Sequence, residues 1–291
     1  MPNPLHRAGF HKPNDIVADM RRFYDDASAR IEYVSSGLAS QGPDPFGMNL
    51  EQLRKTAIAA AFFYRYYFRC EVTGTENIPE GPVLLVANHA GQIPVDAVMI
   101  TLALLLETTP PRLCRSLVDR WVHRLPFISK WYARVGIAIG TPENAKRLLQ
   151  LGAAILTFPE GMAGVQKNIF EAYRLKPFGS GFVRLAMSQN IPIVPVSVVG
   201  SEEQYPTLAH WRHGMHLWEM PPFPLWAHMG VPLLGILPLP VKYRIHFAEA
   251  RCFAGDPDDD DDVMNRHADD TKRCIRQGIA SLLQQRKNAF F

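Results

Sequence analysis

The residues best placed to do chemistry stand at the ends of two apolar runs. The first run, Pro82-Val83-Leu84-Leu85-Val86-Ala87, ends in Asn88-His89, and Asp96 follows seven residues after the histidine. The second, Ala154-Ile155-Leu156-Thr157, ends in Phe158-Pro159-Glu160-Gly161. A histidine at the carboxyl end of a buried strand, with a carboxylate nearby to fix its tautomer, is a general base with an orienting acid. Ligands of open α/β sheets bind beyond the carboxyl ends of the strands, so two such ends carrying charged groups describe one crevice. A lone Asn-His-x-Gly would need no more than a strand-end turn to explain it; Asp96 and the second charged strand end turn the reading toward an enzyme.

No protein nucleophile accompanies the base. Gly179-Ser180-Gly181 follows Phe178 and lacks the glycine spacing of a nucleophile elbow. There is no His-Glu-x-x-His, no Gly-rich phosphate loop and no dinucleotide fingerprint. His210, His213 and His216 recur at intervals of three, but in a proline-broken stretch without a poised carboxylate, so no metal is expected. A base without a nucleophile deprotonates a hydroxyl of the substrate, which then attacks an activated carbonyl directly. Asp96, two residues after Pro94, falls in the first turn of a helix through Val98 to Leu105, from which its carboxylate can return to the imidazole.

The bulk composition sets limits on the rest. A chain of 291 residues that is 47% hydrophobic and 20% charged can build a substantial core. A net charge of +3 is too slight to argue for nucleic acid. Its 31 Lys and Arg nevertheless gather beside aromatics at Arg65 to Arg69, Arg112 to Arg134 and Arg174 to Lys176, a pattern suited to an anionic membrane surface or a phosphorylated ligand. Cys70, Cys114, Cys252 and Cys274 are scattered and read as buried thiols of a reducing compartment. The start has no signal-peptide core, and no apolar stretch approaches the roughly 18 residues of a spanning helix. The expectation is a cytoplasmic protein, peripheral on the inner face of a membrane.

The elements that must position these residues follow from periodicity. Ile16, Met20, Phe23, Ala27, Ile31 and Val34 mark an amphipathic helix over about 14 to 36, capped by Asn14 and ended by Gly37. After the linker at Gln41 to Pro45, Glu51 to Arg69 reads as a helix crowded with Phe62, Phe63, Tyr64, Tyr66, Tyr67 and Phe68 among Arg54, Lys55, Arg65 and Arg69. Two readings stay open for it: it lies in a membrane interface, or it packs in the core. Strands are expected at Val83 to Asn88, Leu113 to Val118, Val135 to Ile139, Ala154 to Phe158, Ile193 to Val199 and Val241 to Phe247. Helices begin near Asp96, Asp119, Thr141 and Gly179, and Thr141-Pro142 is a cap followed by a first-turn proline. The alternation predicts an α/β fold with a mostly parallel sheet flanked by helices. Residues 1–70 form an N-terminal helical, possible membrane-docking segment, and 71–291 the main domain. Dense proline over 205–240, with Trp211, Trp218, Phe223 and Trp226, forbids a long helix and reads as an apolar lip toward lipid or a loop cover. A last helix runs from about Val263 to Arg286, its aspartate-rich start and Arg286-Lys287 at its end matching the helix dipole.

Asn88-His89 with Asp96, Phe158-Pro159-Glu160-Gly161, and Ile191-Pro192-Ile193-Val194-Pro195-Val196 together resemble the motif blocks of the glycerolipid acyltransferases, the 1-acylglycerol-phosphate acyltransferase or PlsC-like superfamily, over about residues 70 to 250. The resemblance implies transfer of an acyl chain from a thioester, acyl-CoA or acyl carrier protein, to a hydroxyl of a glycerolipid-like acceptor. It needs no cofactor beyond that co-substrate. It makes His89 the base, Asp96 its orienting partner, and Asn88, Glu160 and Gly161 part of the acceptor site. The family's usual spacing is Asn-His-x-x-x-x-Asp, whereas six residues separate His89 from Asp96 here. Met162-Ala163-Gly164 stands where Thr-Arg or Thr-Ser is usual, and Thr141 where an arginine is expected. Those departures weaken a phosphate-bearing acceptor. Arg174 and Lys176, just before a glycine-rich helix start, are the candidate replacements, against the plain reading of a solvated basic turn. A lipid esterase or thioesterase using the same pair, or a non-catalytic membrane-binding protein, are the alternatives.

Overall fold

The computed structural model describes residues 13–91, 93–211, 222–231, 235 and 237–290. Its frame is a seven-stranded sheet of β1 (Glu71–Thr73), β2 (Val83–Ala87), β3 (Cys114–Val118), β4 (Ala138–Ile139), β5 (Ala154–Thr157), β6 (Ile193–Val199) and β9 (Arg244–Phe247). Their order across the sheet is β1-β9-β6-β2-β5-β3-β4. From β6 to β4 every neighbouring pair is parallel; β9 runs antiparallel to β6, and β1 parallel to β9. The mostly parallel α/β sheet is therefore as the alternation predicted.

Central strands covered on both faces read as continuous apolar runs instead of alternating ones. Val83, Leu85 and Ala87 of β2 join one core, with α1 (Pro13–Ala39), α2 (Leu50–Phe62) and α3 (Val95–Glu107). Leu84 and Val86 enter the opposite core, with α5 (Pro142–Gln150), α7 (Gly181–Gln189) and α8 (Asp261–Gln285), the short α6 (Gly161–Val165) lying between α5 and α7 in the chain. On that side α8 lies so close to β6 that a Cβ on Gly278 would stand 2.2 Å from Ser197 Oγ.

Local chemistry accounts for most element ends. Thr141 caps α5 through Asn144 N–H at 3.2 Å, with Pro142 in the first turn. The helix over the first segment already runs at Pro13, ahead of Asn14. It also passes through Gly37 to Ala39, because Leu38 still packs on the core and Gly37 faces open space. The expected strand from Val135 is shorter: Val135 and Gly136 close α4 (Pro126–Arg134), with Gly136 at φ +91, and pairing starts only at Ala138. Asp119 opens a 3₁₀ turn, Arg120–Arg124, ahead of α4. Arg286 is the C-cap residue of α8 and pairs with Glu203, 2.6 Å away. Cys252 is exposed, unlike the buried Cys70 and Cys114.

The aromatic helix divides its rings. After Phe62 the backbone widens into a π turn, Phe63–Tyr67, which lets Tyr64 and Phe68 both enter the core while Phe62 and Phe63 stay partly exposed. Within the proline-rich stretch the described residues form a small antiparallel pair, β7 (Thr207–Trp211) and β8 (Phe223–Trp226), which the density of prolines concealed. Trp218 lies outside the described residues. No helix among the described residues is long and apolar enough to cross a membrane.

Candidate active site

Because β2, β5 and β6 are adjacent and parallel, the loops leaving their carboxyl ends meet. β2 delivers His89, β5 delivers Phe158 to Gly161, and β6 delivers Gly200 to Glu202. The His89 imidazole Nδ1 lies 2.7 Å from Asp96 Oδ2. Asp96 is fully buried in the first turn of α3 and is fixed by two further hydrogen bonds, accepting Ala90 N–H at 3.1 Å and Ala97 N–H at 2.8 Å. The longer loop thus brings the pair together, with the backbone next to each residue holding the carboxylate. Phe158 stacks on the imidazole, ring centres 4.1 Å apart and planes 23° from parallel.

Asn88 points away from the crevice. Its Oδ1 accepts Val198 N–H at 2.8 Å and its Nδ2 donates to Val198 C=O at 3.0 Å, so the side chain continues the β2–β6 ladder one step past the strand. Glu160 is similarly occupied. Its Oε1 accepts the His89 N–H at 3.0 Å, its Oε2 the Lys176 N–H at 2.8 Å, and Lys167 Nζ stands 3.4 Å away. The carboxylate therefore ties the histidine loop to the basic turn. Gly161 takes φ +50, a backbone state that suits glycine, and gives the chain its turn after Glu160. Gly164 is needed for a different reason: a Cβ there would lie 2.7 Å from Glu160 Cβ and 3.4 Å from His89 Cβ.

Lys167 and Glu202 were not evident from the sequence. Lys167 is buried between two carboxylates, 2.6 Å from Glu202 and 3.4 Å from Glu160. Burial, the largest influence on Glu202, raises its pKa above the ordinary value, with the charge of Lys167 opposing. For His89 burial is again the largest influence and lowers its pKa. The charge and hydrogen bond of Asp96, with the charge of Glu160, outweigh it, and the net direction is up. Glu202 could have been suspected, since it follows an expected strand at its carboxyl end. Lys167 carried no comparable signal.

The structure does not gather all the expected basic groups. Arg174 is exposed, the Lys176 ammonium pairs with Glu171, and neither side chain lines the large cavity beside the histidine. Of the three clustered histidines, His213 and His216 lie outside the described residues. Among the described residues, no group of three His, Cys, Asp or Glu side chains is placed to hold a metal ion.

The cavity itself has a volume of about 790 Å³. His89 and Phe158 stand in its wall, and Leu53 and Ala57 of α2 with Val98 and Leu102 of α3 form much of its apolar lining. Its size is that of a ligand pocket, and its lining favours a long apolar group over a polar one. A half-buried imidazole on the wall of such a space can take a proton from a hydroxyl presented beside an apolar chain.

Residues 69–199 match the Acyltransferase family. An uncharacterized protein of Mycobacterium tuberculosis is 39% identical over 238 residues, covering 79% of this chain and 66% of the relative. A chicken (Gallus gallus) protein described as a "DGAT1/2-independent enzyme synthesizing storage lipids" is 30% identical over 189 residues, covering 64% of this chain and 53% of the relative. The chain thus spans just under two thirds of the first relative's length and about half of the second's. The crystal structure of the 1-acyl-sn-glycerophosphate (LPA) acyltransferase PlsC from Thermotoga maritima is similar, with a TM-score of 0.51 and 18% identity over 82% of this chain and 80% of that one. That likeness is one of fold.

Proposed function

We propose that the chain is a member of the glycerolipid acyltransferase superfamily, which the match of residues 69–199 to the Acyltransferase family supports, and that it moves a fatty acyl chain from a thioester donor to a hydroxyl of a lipid acceptor. The observation that carries this reading is the His89–Asp96 pair, 2.7 Å apart, with His89 in the wall of an apolar cavity of about 790 Å³. Asp96 holds the proton on Nδ1, which leaves Nε2 to take the proton of the acceptor hydroxyl. The alkoxide oxygen attacks the thioester carbonyl, the C–S bond breaks, and the imidazolium returns its proton to the departing thiolate. The products are an ester and a free thiol. The donor is acyl-CoA or acyl carrier protein, and the partner surface is a membrane in which the lipid acceptor dissolves.

The acceptor in this reading is neutral or weakly charged. Thr141 lines the cavity and caps a helix where the resemblance expects an arginine. Lys167 is already flanked by Glu160 and Glu202, and Lys176 by Glu171, so neither offers an uncommitted charge to a phosphate. The storage-lipid synthesis named for the chicken relative supports the same class.

The test is mass spectrometry of the products from acyl-CoA with lysolipids, diacylglycerol and long-chain alcohols. The expected result is ester formation, absent in His89→Ala, with no preference for lysophosphatidic acid. Free fatty acid as the sole product, whatever the acceptor, would make the protein a thioesterase. A preference for lysophosphatidic acid that Arg174→Ala with Lys176→Ala removes would assign those two residues to a phosphate.

A further inference from the structure

The segment from Asp119 to Arg134 presents an unpartnered apolar face. In α4, Phe127 is 86% exposed, Ile128 44% and Trp131 42%. Spacings of three and four put these side chains on one side of the helix. Ile128 and Trp131 also line the cavity, so the exposed face is continuous with the space beside His89. Around it stand Arg120, Lys130 and Arg134, all exposed, and none makes an ion pair among the described residues. The acids near them are Asp119 on the same segment and Glu143, whose carboxylate feels Arg120.

The aromatic-basic α2 offers less. Tyr64 and Phe68 beyond its end are buried, and Leu53 and Ala57 face the cavity. Arg54 is held by Glu32 and Lys55 by Glu51, and Arg69 donates to backbone carbonyls of Tyr67, Pro240 and Phe290.

We propose that the Phe127–Ile128–Trp131 face of α4 is the surface that docks on an anionic bilayer, with its rings among the acyl chains and its cations at the headgroups. Cations outside any ion pair, flanking exposed rings on a short amphipathic helix, match an anionic lipid interface, which supplies both the apolar medium and the counter-charge. Acyl chains then pass from the leaflet into the cavity beside Ile128 and Trp131. The proposal rests on the reading that the substrates are lipids and locates where they enter.

The experiment is flotation of the full-length protein with phosphatidylcholine vesicles, with and without phosphatidylglycerol. Truncation before Val72 is unsuitable, because it would strip Phe23, Ala27, Ile31, Tyr64 and Phe68 from the core. Phe127→Ser and Lys130→Glu alter residues that do not line the cavity, and Val17→Ser changes a side chain on α1 that is 65% exposed. Phe127→Ser should weaken vesicle partitioning by roughly tenfold or more, the equivalent of losing one ring from an apolar medium. Lys130→Glu should weaken binding to anionic vesicles and leave neutral ones unchanged, and Val17→Ser should bind like the parent. Unchanged flotation of Phe127→Ser, greater loss in Val17→Ser, or a parent protein that ignores vesicles would each overturn the proposal. So would a dimer in sedimentation that Phe127→Ser dissolves, since a second copy would then be the occupant. Transfer to water-dispersed short-chain substrates reports on the catalytic reading separately. Vesicle binding without any transfer would sink that reading and leave the docking face standing.

Discussion

Asp96→Asn is the most demanding test of the site, because it keeps shape and removes charge. Asp96 Oδ2 serves two groups, the His89 ring and Ala90 N–H, while Oδ1 accepts Ala97 N–H. An asparagine must put its NH₂ on one side. Facing His89, it donates to Nδ1, moves the ring proton to Nε2 and leaves no base toward the substrate; it also meets the Ala90 N–H donor to donor. Facing Ala97 instead, it keeps the tautomer but opposes another buried N–H. Either way one buried donor loses its acceptor, which costs about 1–3 kcal/mol, or roughly 2–12 °C in a chain of this size. The wrong-tautomer arrangement costs about 10⁴ in rate in serine-protease triads. The expectation here is a fall in kcat/KM of roughly a thousandfold or more, followed through release of the donor thiol with a thiol-reactive dye.

The pH profile adds a second readout. His89 is raised above its ordinary value against the lowering effect of burial, by the charge and hydrogen bond of Asp96 and the charge of Glu160. Its neutral, basic form therefore appears only as pH rises through that elevated pKa. The rate should have an ascending limb above the usual histidine range of about 6.5. Asp96→Asn removes the main raising influences and leaves burial, so the residual activity should show the limb displaced to lower pH. A variant within threefold of the parent rate, or a limb that does not move, would refute the coupling of this pair.

Three other outcomes follow from named contacts. Asn88→Ala leaves both the N–H and C=O of Val198 unpaired in the sheet and should cost about 2–4 kcal/mol in denaturant unfolding; a loss under 1 kcal/mol would deny the ladder role. Lys167→Met leaves Glu160 and Glu202 without their shared cation, for about 3–5 kcal/mol. Because Lys167 holds the His89 pKa down, the same change should move the ascending limb to higher pH, and an unaltered melt and profile together would count against the network. Val98→Trp intrudes on the apolar cavity and should shift the products of a mixed acyl-CoA competition toward shorter chains; an unchanged product distribution would place the chain elsewhere.

What the sequence disclosed depended on how far apart the cooperating residues lie. His89 and Asp96 belong to one strand–loop–helix unit, so periodicity plus a first-turn position brought the pair into reach. The parallel sheet was equally accessible, because strands buried on both faces leave uninterrupted apolar runs such as Val83 to Ala87. Lys167 and Glu202 are 35 residues apart and meet only because β5 and β6 flank β2. No local pattern encodes that meeting. Asn88 was legible as a motif residue but not as a ladder element, since its partner Val198 lies 110 positions away. The two strands of the proline-rich stretch were hidden for another reason: edge pairing tolerates Pro224, whereas pattern reading treats dense proline as a break.

The departures from the usual motif spacing have a common physical sense. A longer loop after His89 would by itself loosen the histidine–aspartate pair. Here the loop is secured at both ends by the groups it must align: Asp96 takes the Ala90 N–H beside the histidine and the Ala97 N–H on its own helix. The His89 N–H goes to Glu160, whose other oxygen holds the Lys176 N–H and whose near neighbour is Lys167. The proposed base and its acid thus stay paired, while the ammonium groups of Lys167 and Lys176 are held by carboxylates. Lysines spent in this way leave a phosphate only Arg174 of the expected basic groups, which is exposed and does not line the cavity. On the proposed reading, an acceptor that brings a hydroxyl and an apolar chain needs an imidazole and an apolar cavity, and the two stand side by side at His89.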